Sequence, residues 1–363
     1  MKNFCLSKFR EAPLPDEREV VAKWTGSKPV VSVVCTTYNH EAYVEDAIRG
    51  FLIQKTDFPF EIVIHDDVST DSTQSIINRY AAAYPNIIKT VFQQQNQYSQ
   101  GAMILMLASS YAAGDYIAFC EGDDYWIATD KLQSQVDALK EIPNCEMCFH
   151  PAVMTKNEVP YQALFCRRSE GNRLFDVGPI IRCGGSFMPT ASMLIRRSFF
   201  DRAFRDGGSF YQRYMMGYFF QIHCSLQGGA CYIDRPMSVY RSFSEGSWTQ
   251  TISRDQGFYK KWASNYLEAL RETDRMTGYA YSSDIALSIR RCHLSVLNNI
   301  GLDLAYRREY FVKNRKYLGV LGTILWFCVF RTPVIHTLFK RIRSFLQTCR
   351  KQKMQSRSGN VSA

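Results

Sequence analysis

Three carboxylates fall within four residues at Glu121-Gly122-Asp123-Asp124. Such a cluster repels itself unless a cation or hydrogen-bond donors offset the charge. Hard divalent ions such as Mg²⁺ and Mn²⁺ take carboxylate oxygens and commonly share the phosphates of a nucleotide. Gly122 allows a tight turn and close approach. The plain alternative is a solvated acidic turn. Position argues for a metal–diphosphate site instead, because the turn ends the apolar run YIAFC and precedes Tyr125-Trp126. Asp123 is the main candidate ligand, with Glu121 and Asp124 beside it. A second acidic group, Asp66-Asp67-Val68-Ser69-Thr70-Asp71, follows the apolar run EIVIH. Helix capping uses one such side chain, so Asp66 and Asp67 remain for a base N–H or a ribose hydroxyl. Thr36 to His40 makes a third polar group after PVVSVVCT.

These groups need elements that bring them to one place. The run at 29–36 is short, apolar and β-branched, as a strand buried on both faces is, 61–65 reads as a second buried strand, and 87–92 and 116–120 read as a third and a fourth strand. Helical spacing lies between them: Val44, Ala47, Ile48, Phe51 and Leu52 within 41–54, Ile76, Ile77 and Tyr80 before Pro85, and the segment 101–113. Alternating strands and helices imply a parallel sheet with right-handed crossovers. Ligands in such sheets sit at the carboxyl ends of the strands, where all three polar groups fall.

With these motifs in place, VSVVCTTYNHEAYVEDAIRGFLIQ, EIVIHDDVSTDSTQSII and YIAFCEGDDYW together resemble the family 2 glycosyltransferases with the GT-A fold, across roughly residues 29–240. The resemblance implies an α/β fold with a mixed, mostly parallel Rossmann-like sheet flanked by helices. It also implies transfer of a sugar from a nucleotide-diphosphate donor, a UDP- or GDP-sugar, with Mg²⁺ or Mn²⁺ and usually with inversion. Thr36, Tyr38, Asn39 and Glu41 match the family's first nucleotide-contacting loop, and Asp66 and Asp67 its base- and ribose-binding acids. The metal-binding Asp-x-Asp falls on Glu121-Gly122-Asp123, with Glu in place of the first Asp. Arg241, Ser247 and Trp248 match a loop that closes over the diphosphate, where a guanidinium suits phosphate oxygens; core packing is the other reading of Trp248.

One expected feature is missing. The family's catalytic base would lie near Met216-Gly217-Tyr218-Phe219, yet no Asp or Glu occurs between Phe210 and Cys231. Inverting transfer needs a base to deprotonate the acceptor hydroxyl. His223, Asp206 and Glu245 are the substitutes to test, with a buried structural role the other reading of His223. A catalytically impaired nucleotide-sugar-binding partner protein is the alternative function. A nucleotidyltransferase is disfavoured because Thr36 to His40 has neither glycine nor Lys/Arg for a phosphate loop.

At 363 residues the chain has room for about two domains. The expected division is an extension at 1–28, the GT-A domain at 29–250, a helical extension at 251–316 and an apolar, then basic amphipathic tail at 317–363. Of the net charge of +10, residues 331–363 carry +8 with no Asp or Glu, leaving +2 on the rest. A near-neutral body excludes nucleic acid as the partner by charge. The segment 317–330 is almost wholly apolar but shorter than the about 20 residues that span a bilayer. With the cations at 340, 341 and 343 it suggests contact with an anionic membrane surface, which suits a glycan or lipid-linked acceptor in cell-surface polysaccharide synthesis. The polar N-terminus reads as no secretory signal, so a cytoplasmic location and reduced thiols are expected for the 12 cysteines. Cys145 and Cys148 with His150 lack a second ligand pair and read as buried strand residues rather than a zinc site.

Overall fold

β-Branched and apolar side chains fill four parallel strands: β1 (Val31–Thr37), β2 (Phe60–Asp66), β3 (Ile88–Phe92) and β4 (Tyr116–Glu121). The computed structural model describes residues 5–156, 158–214, 217–244 and 247–331. The remaining strands are β5 (Tyr125–Trp126), β6 (Met147–Phe149), β7 (Ala152–Lys156), β8 (Val159–Phe165), β9 (Arg173–Phe175), β10 (Leu194–Arg196), β11 (Ala230–Tyr232) and β12 (Ser238–Arg241). The main sheet runs β3-β2-β1-β4-β10-β6-β11-β9, with β10 antiparallel to both neighbours. A smaller sheet runs β5-β12-β7-β8. The sheet is therefore mixed and mostly parallel on its first side, as the resemblance implies.

Crossover helices at Val44–Leu52, Thr73–Ala83 and Ile104–Ser109 flank the first four strands. Val44, Ala47, Ile48, Phe51 and Leu52 are fully buried, which is the apolar stripe that drives an amphipathic helix onto its sheet. The same helix lies against β5: a Cβ added at Gly50 would sit 2.7 Å from the backbone N and O of Trp126. The third crossover helix is shorter than the expected 101–113. Ser32 and Glu61 explain its early end, because they capture the amides that a longer helix would use: Ala113 N donates to Glu61 Oε1 at 2.6 Å and Gly114 N to Ser32 Oγ at 2.8 Å.

The chain divides into two compact units, one of residues 1–160 with 164–244 and one of residues 161–163 with 245–363. In the first, residues 5–28 are not a free extension. Helices Leu6–Glu11 and Glu17–Val21 form, the second opened by an Asp16/Glu19 capping box, and Val20, Leu14 and Trp24 pack on the main core. The C-x-x-C cysteines are buried, with Cys148 on β6 in register with Cys231 on β11. The second unit contains helices Trp248–Arg254, Gln256–Met276, Ser282–Asn298, Leu304–Asn314 and Gly319–Arg331. Among the described residues no helix is long and apolar enough to cross a membrane.

Candidate functional site

Strand register builds the site. Thr36 pairs with His65 and Glu121, and Thr37 with Asp66, so the polar groups after β1, β2 and β4 share one sheet edge. The first two are stitched together. Asn39, at φ 55°, receives a hydrogen bond on its side-chain oxygen from Thr70 N at 2.8 Å and donates its own amide to Ser69 Oγ at 2.8 Å. Glu41 accepts from Ser72 N at 2.9 Å, and its amide donates to Asp71 Oδ2 at 3.0 Å. Asp71 also accepts from Thr73 N at 2.9 Å, so it caps the following helix.

Asp66 and Asp67 are buried, and both are tied into the loops. Asp66 accepts from Thr37 Oγ1 at 2.9 Å, Ser69 N at 2.9 Å and Gln74 Nε2 at 2.6 Å. Asp67 accepts from Gln97 N at 2.7 Å and Tyr98 N at 3.0 Å, and so shapes the loop after β3. Both carboxylates are thus engaged within the protein, where the sequence leaves them to a base N–H or a ribose hydroxyl. Thr36 lies half-buried on β1, with its carbonyl accepting from Gly122 N at 2.9 Å. Tyr38 is half exposed at the rim.

The acidic turn is packed tightly against β1. A Cβ at Gly122 would meet Thr37 Cγ2 at 2.6 Å and His40 Nδ1 at 2.8 Å. That His40 nitrogen is buried without a hydrogen-bond partner, and burial pushes the imidazole below its ordinary range despite Asp123 nearby. The three carboxylates have separate environments. Asp124 is buried and turned inward, accepting from Arg241 N at 2.9 Å; burial, then the charges of Asp123 and Glu121, push its carboxyl well above the ordinary range. Asp124 is thus a structural acceptor and not the expected metal ligand. Glu121 is pushed up to about 7 by burial and by Asp123, against a hydrogen bond with Thr190. Asp123 is half-buried and accepts from Ser244 Oγ.

Arg241 also departs from expectation. Only 5% of its side chain is exposed. Its guanidinium is bonded to Asp46, to Glu158 Oε1 at 2.9 Å and to the carbonyl of Asp123 at 2.9 Å, and it lies 4.3 Å from the Tyr125 ring centroid. Arg10 grips Asp46 from the other side with a two-point fork at 2.9 and 2.6 Å. With each of its three guanidinium nitrogens bonded inside the protein, Arg241 positions the acidic turn; it does not stand open to a diphosphate. The sequence reading missed Arg10, Asp46, Glu158 and Ser244. Asp46 left one signal, an acid on the buried face of a helix.

His223 is not brought to this edge. It lies on helix Gly217–Ser225, with Nδ1 2.8 Å from Tyr211 Oη and its ring among Phe210, Tyr211 and Phe219. Burial lowers it to about 4. A base must reach the proton it takes, so the structural reading replaces the catalytic one. Glu245 and the side chain of Asp206 lie outside the described residues. Ser247 caps helix Trp248–Arg254 in the second unit, where Trp248, half exposed, packs edge-on against Trp262.

The chemistry of the donor set bears on the cation that the fold implies. Among the described residues no three His, Cys, Asp or Glu side chains gather into a set able to hold a metal alone. Mg²⁺ is usually held by one or two carboxylates together with substrate phosphates, and Asp123 with Glu121 suits that mode.

Residues 32–204 match the family model described as glycosyl transferase family 2. An uncharacterized protein of Mycobacterium tuberculosis (strain ATCC 25618 / H37Rv) is 30% identical over 63% of this chain and 64% of its own length. The putative teichuronic acid biosynthesis glycosyltransferase TuaG of Bacillus subtilis is 36% identical over 32% of this chain and 44% of its own. The chain thus spans less than two thirds of these relatives. S. aureus TarS, solved in complex with UDP, superposes with a TM-score of 0.50 at 16% identity, covering 79% of this chain and 90% of that one. Residues 32–204 are thus similar to a family 2 glycosyltransferase domain, and the chain has the GT-A fold.

Proposed function

We propose that this protein is a glycosyltransferase that moves a sugar from a UDP- or GDP-linked donor to a glycan or lipid-linked acceptor, with inversion, at the cytoplasmic face of a membrane. The observation that carries the reading is the acidic turn at the end of β4, packed beside the β1 loop that is stitched to the β2 loop, with Asp123 and Glu121 as its two carboxylates that are not fully buried. A divalent ion held there would neutralise the charge of the departing nucleoside diphosphate. The chain's own part is to fix that turn: Gly122 lets it press on Thr37 and His40, and Arg241 and Ser244 hold Asp123 from the other side. The stitched loops with Tyr38 at their rim form the wall for the nucleotide. The teichuronic-acid name of one relative and the UDP bound to TarS accord with this chemistry.

A second reading is a donor-binding partner protein without transfer activity, favoured by the burial of His223 and the absence of any acid between residues 211 and 230. One experiment separates them. Purified protein is incubated with a panel of nucleotide sugars and Mn²⁺, with and without membrane extract, and nucleoside diphosphate release is measured. Release establishes transfer or hydrolysis of the donor. Binding of UDP or GDP that needs Mn²⁺, without release, selects the second reading. No binding of either nucleotide removes both. In Asp123→Asn the metal dependence of nucleotide binding should disappear while the fold persists; if it survives unchanged, Asp123 is not a ligand.

A further inference from the structure

Helix Gly319–Arg331 has two apolar faces where a globular protein needs one. Trp326, Val329 and Phe330 are buried with Leu318 against Leu297 and Phe311. On its other side Val320 is 76% exposed, and Ile324, Leu325 and Phe327 are exposed beside it. Val320, Ile324 and Phe327 stand at i, i+4 and i+7, which aligns them along one side of a helix. Exposed Arg315 and Lys316 precede the helix. From its last residue, Arg331, to 363 the sequence carries eight Lys and Arg with no acid, interleaved between 335 and 346 with Ile335, Leu338, Phe339, Ile342, Phe345 and Leu346.

From this juxtaposition we infer that the Val320–Ile324–Phe327 face is a docking surface for an anionic lipid bilayer. The occupant must accept apolar side chains and a dense positive charge together. A second copy of the chain would bring two +8 segments to one interface, where they repel. The chain's own terminal segment carries no acid to neutralise its cations. An anionic bilayer offers headgroups for the cations and acyl chains for the apolar face. The helix has 13 residues, so it is about 20 Å long and lies on a bilayer whose core is about 30 Å rather than crossing it. Apolar and ionic parts act separately, because salt screens only the second.

The inference rests on the membrane-face part of the proposed function, and UDP titration with Mn²⁺ on the same preparation tests the donor site separately, so either can fail alone. The full chain is floated with vesicles of phosphatidylcholine alone or mixed with phosphatidylglycerol, at 0.05 M and 1 M salt (Debye length about 3 Å at 1 M). Wild type should float with the mixed vesicles at low salt and be partly retained at high salt. Val320→Gln/Ile324→Gln/Phe327→Gln should bind roughly tenfold more weakly at low salt and be released at high salt. Val320→Gln alone, at the most exposed position, should show a smaller loss in the same direction and unchanged thermal stability. Wild type that ignores the mixed vesicles overturns the inference. So does a triple variant that floats like wild type, which would leave the cations as the whole attachment. A wild-type dimer in light scattering that the triple variant dissolves assigns the face to a second copy and overturns it as well.

Discussion

Replacing Arg241 by Lys separates two roles that a buried arginine beside an acidic turn can have. A guanidinium clamping a diphosphate would contribute to affinity and little to folding. The observed guanidinium is spread over Asp46, Glu158 and the Asp123 carbonyl, with Tyr125 beneath it. A lysine keeps the charge but is a point donor on a flexible stem and cannot bridge three acceptors in a plane. It would retain one of the three bonds. A hydrogen bond to a charged group contributes roughly 1.5–3 kcal/mol. One carboxylate contact and the bond to the Asp123 carbonyl are lost, and the Glu158 contact is discounted because that side chain is 37% exposed. The expected loss is about 3 kcal/mol. Urea unfolding of wild type and Arg241→Lys measures it, as a lower midpoint at unchanged slope. Nucleotide titration with Mn²⁺, performed where both proteins are folded, should then show a smaller effect, transmitted through the placement of Asp123. Stability within 0.5 kcal/mol of wild type together with a tenfold loss of nucleotide affinity would refute the network and restore the clamp.

Two further outcomes follow from single positions. Lys131 is fully buried over the Trp126 ring, and burial pulls its ammonium from 10.5 down to about 7. Its folded-state value is depressed, so as the pH falls from 10.5 to 7 the unfolded chain binds a proton that the folded chain refuses, and stability drops by an amount on the order of 5 kcal/mol. Lys131→Met should therefore be more stable than wild type at pH 7, with the difference shrinking toward pH 10; denaturant unfolding across that range checks the slope, and parallel profiles would mean that Lys131 stays charged. Gly122→Ala places a Cβ 2.6 Å from Thr37 Cγ2 and 2.8 Å from His40 Nδ1. Overpacking of this kind costs about 1–3 kcal/mol, and both the unfolding midpoint and Mn²⁺-dependent nucleotide binding should fall; an unaltered pair of values would show that the turn has slack.

Strand β3, at the sheet edge with Lys89 exposed, was marked by its isoleucines, Val91 and Phe92, whereas β1, β2 and β4 were legible because each is a short apolar run largely buried on both faces. Their polar ends were legible for the same reason, since a carboxylate that follows such a run has the sheet edge as its place. The roles within the edge were not. Asp66 and Asp67 read as spare acids, yet the amides of Gln97 and Tyr98 that occupy Asp67 belong to an irregular loop with no periodicity to announce it. Arg241 reads as a phosphate ligand by type, but its partner Asp46 is 195 residues away in sequence. The N-terminal segment read as an extension because its two helices are short and polar; Phe9, Arg10 and Val20 are too few to make a pattern, though they reach Tyr125, Asp46 and the core.

These corrections bear on how an acidic turn can hold three carboxylates without a partner for each. The repulsion is resolved by giving each group a different environment. Asp124 is drawn inward to the Arg241 amide and left in surroundings that favour its neutral form. Glu121 is balanced near 7 between burial, the charge of Asp123 and the Thr190 hydrogen bond. Asp123 is steadied by Ser244 on its carboxylate and by Arg241 on its carbonyl, and it remains half-buried at the sheet edge. Arg241 lends its charge to Asp46 and Glu158 and its geometry to Asp123, so the positive charge nearest the turn is already matched. The negative charge of Asp123 therefore keeps no fixed cationic side chain as partner among the described contacts. That is the condition under which a carboxylate takes a mobile cation, and it is why Asp123, rather than the acid before or after it, is the position on which metal dependence should turn.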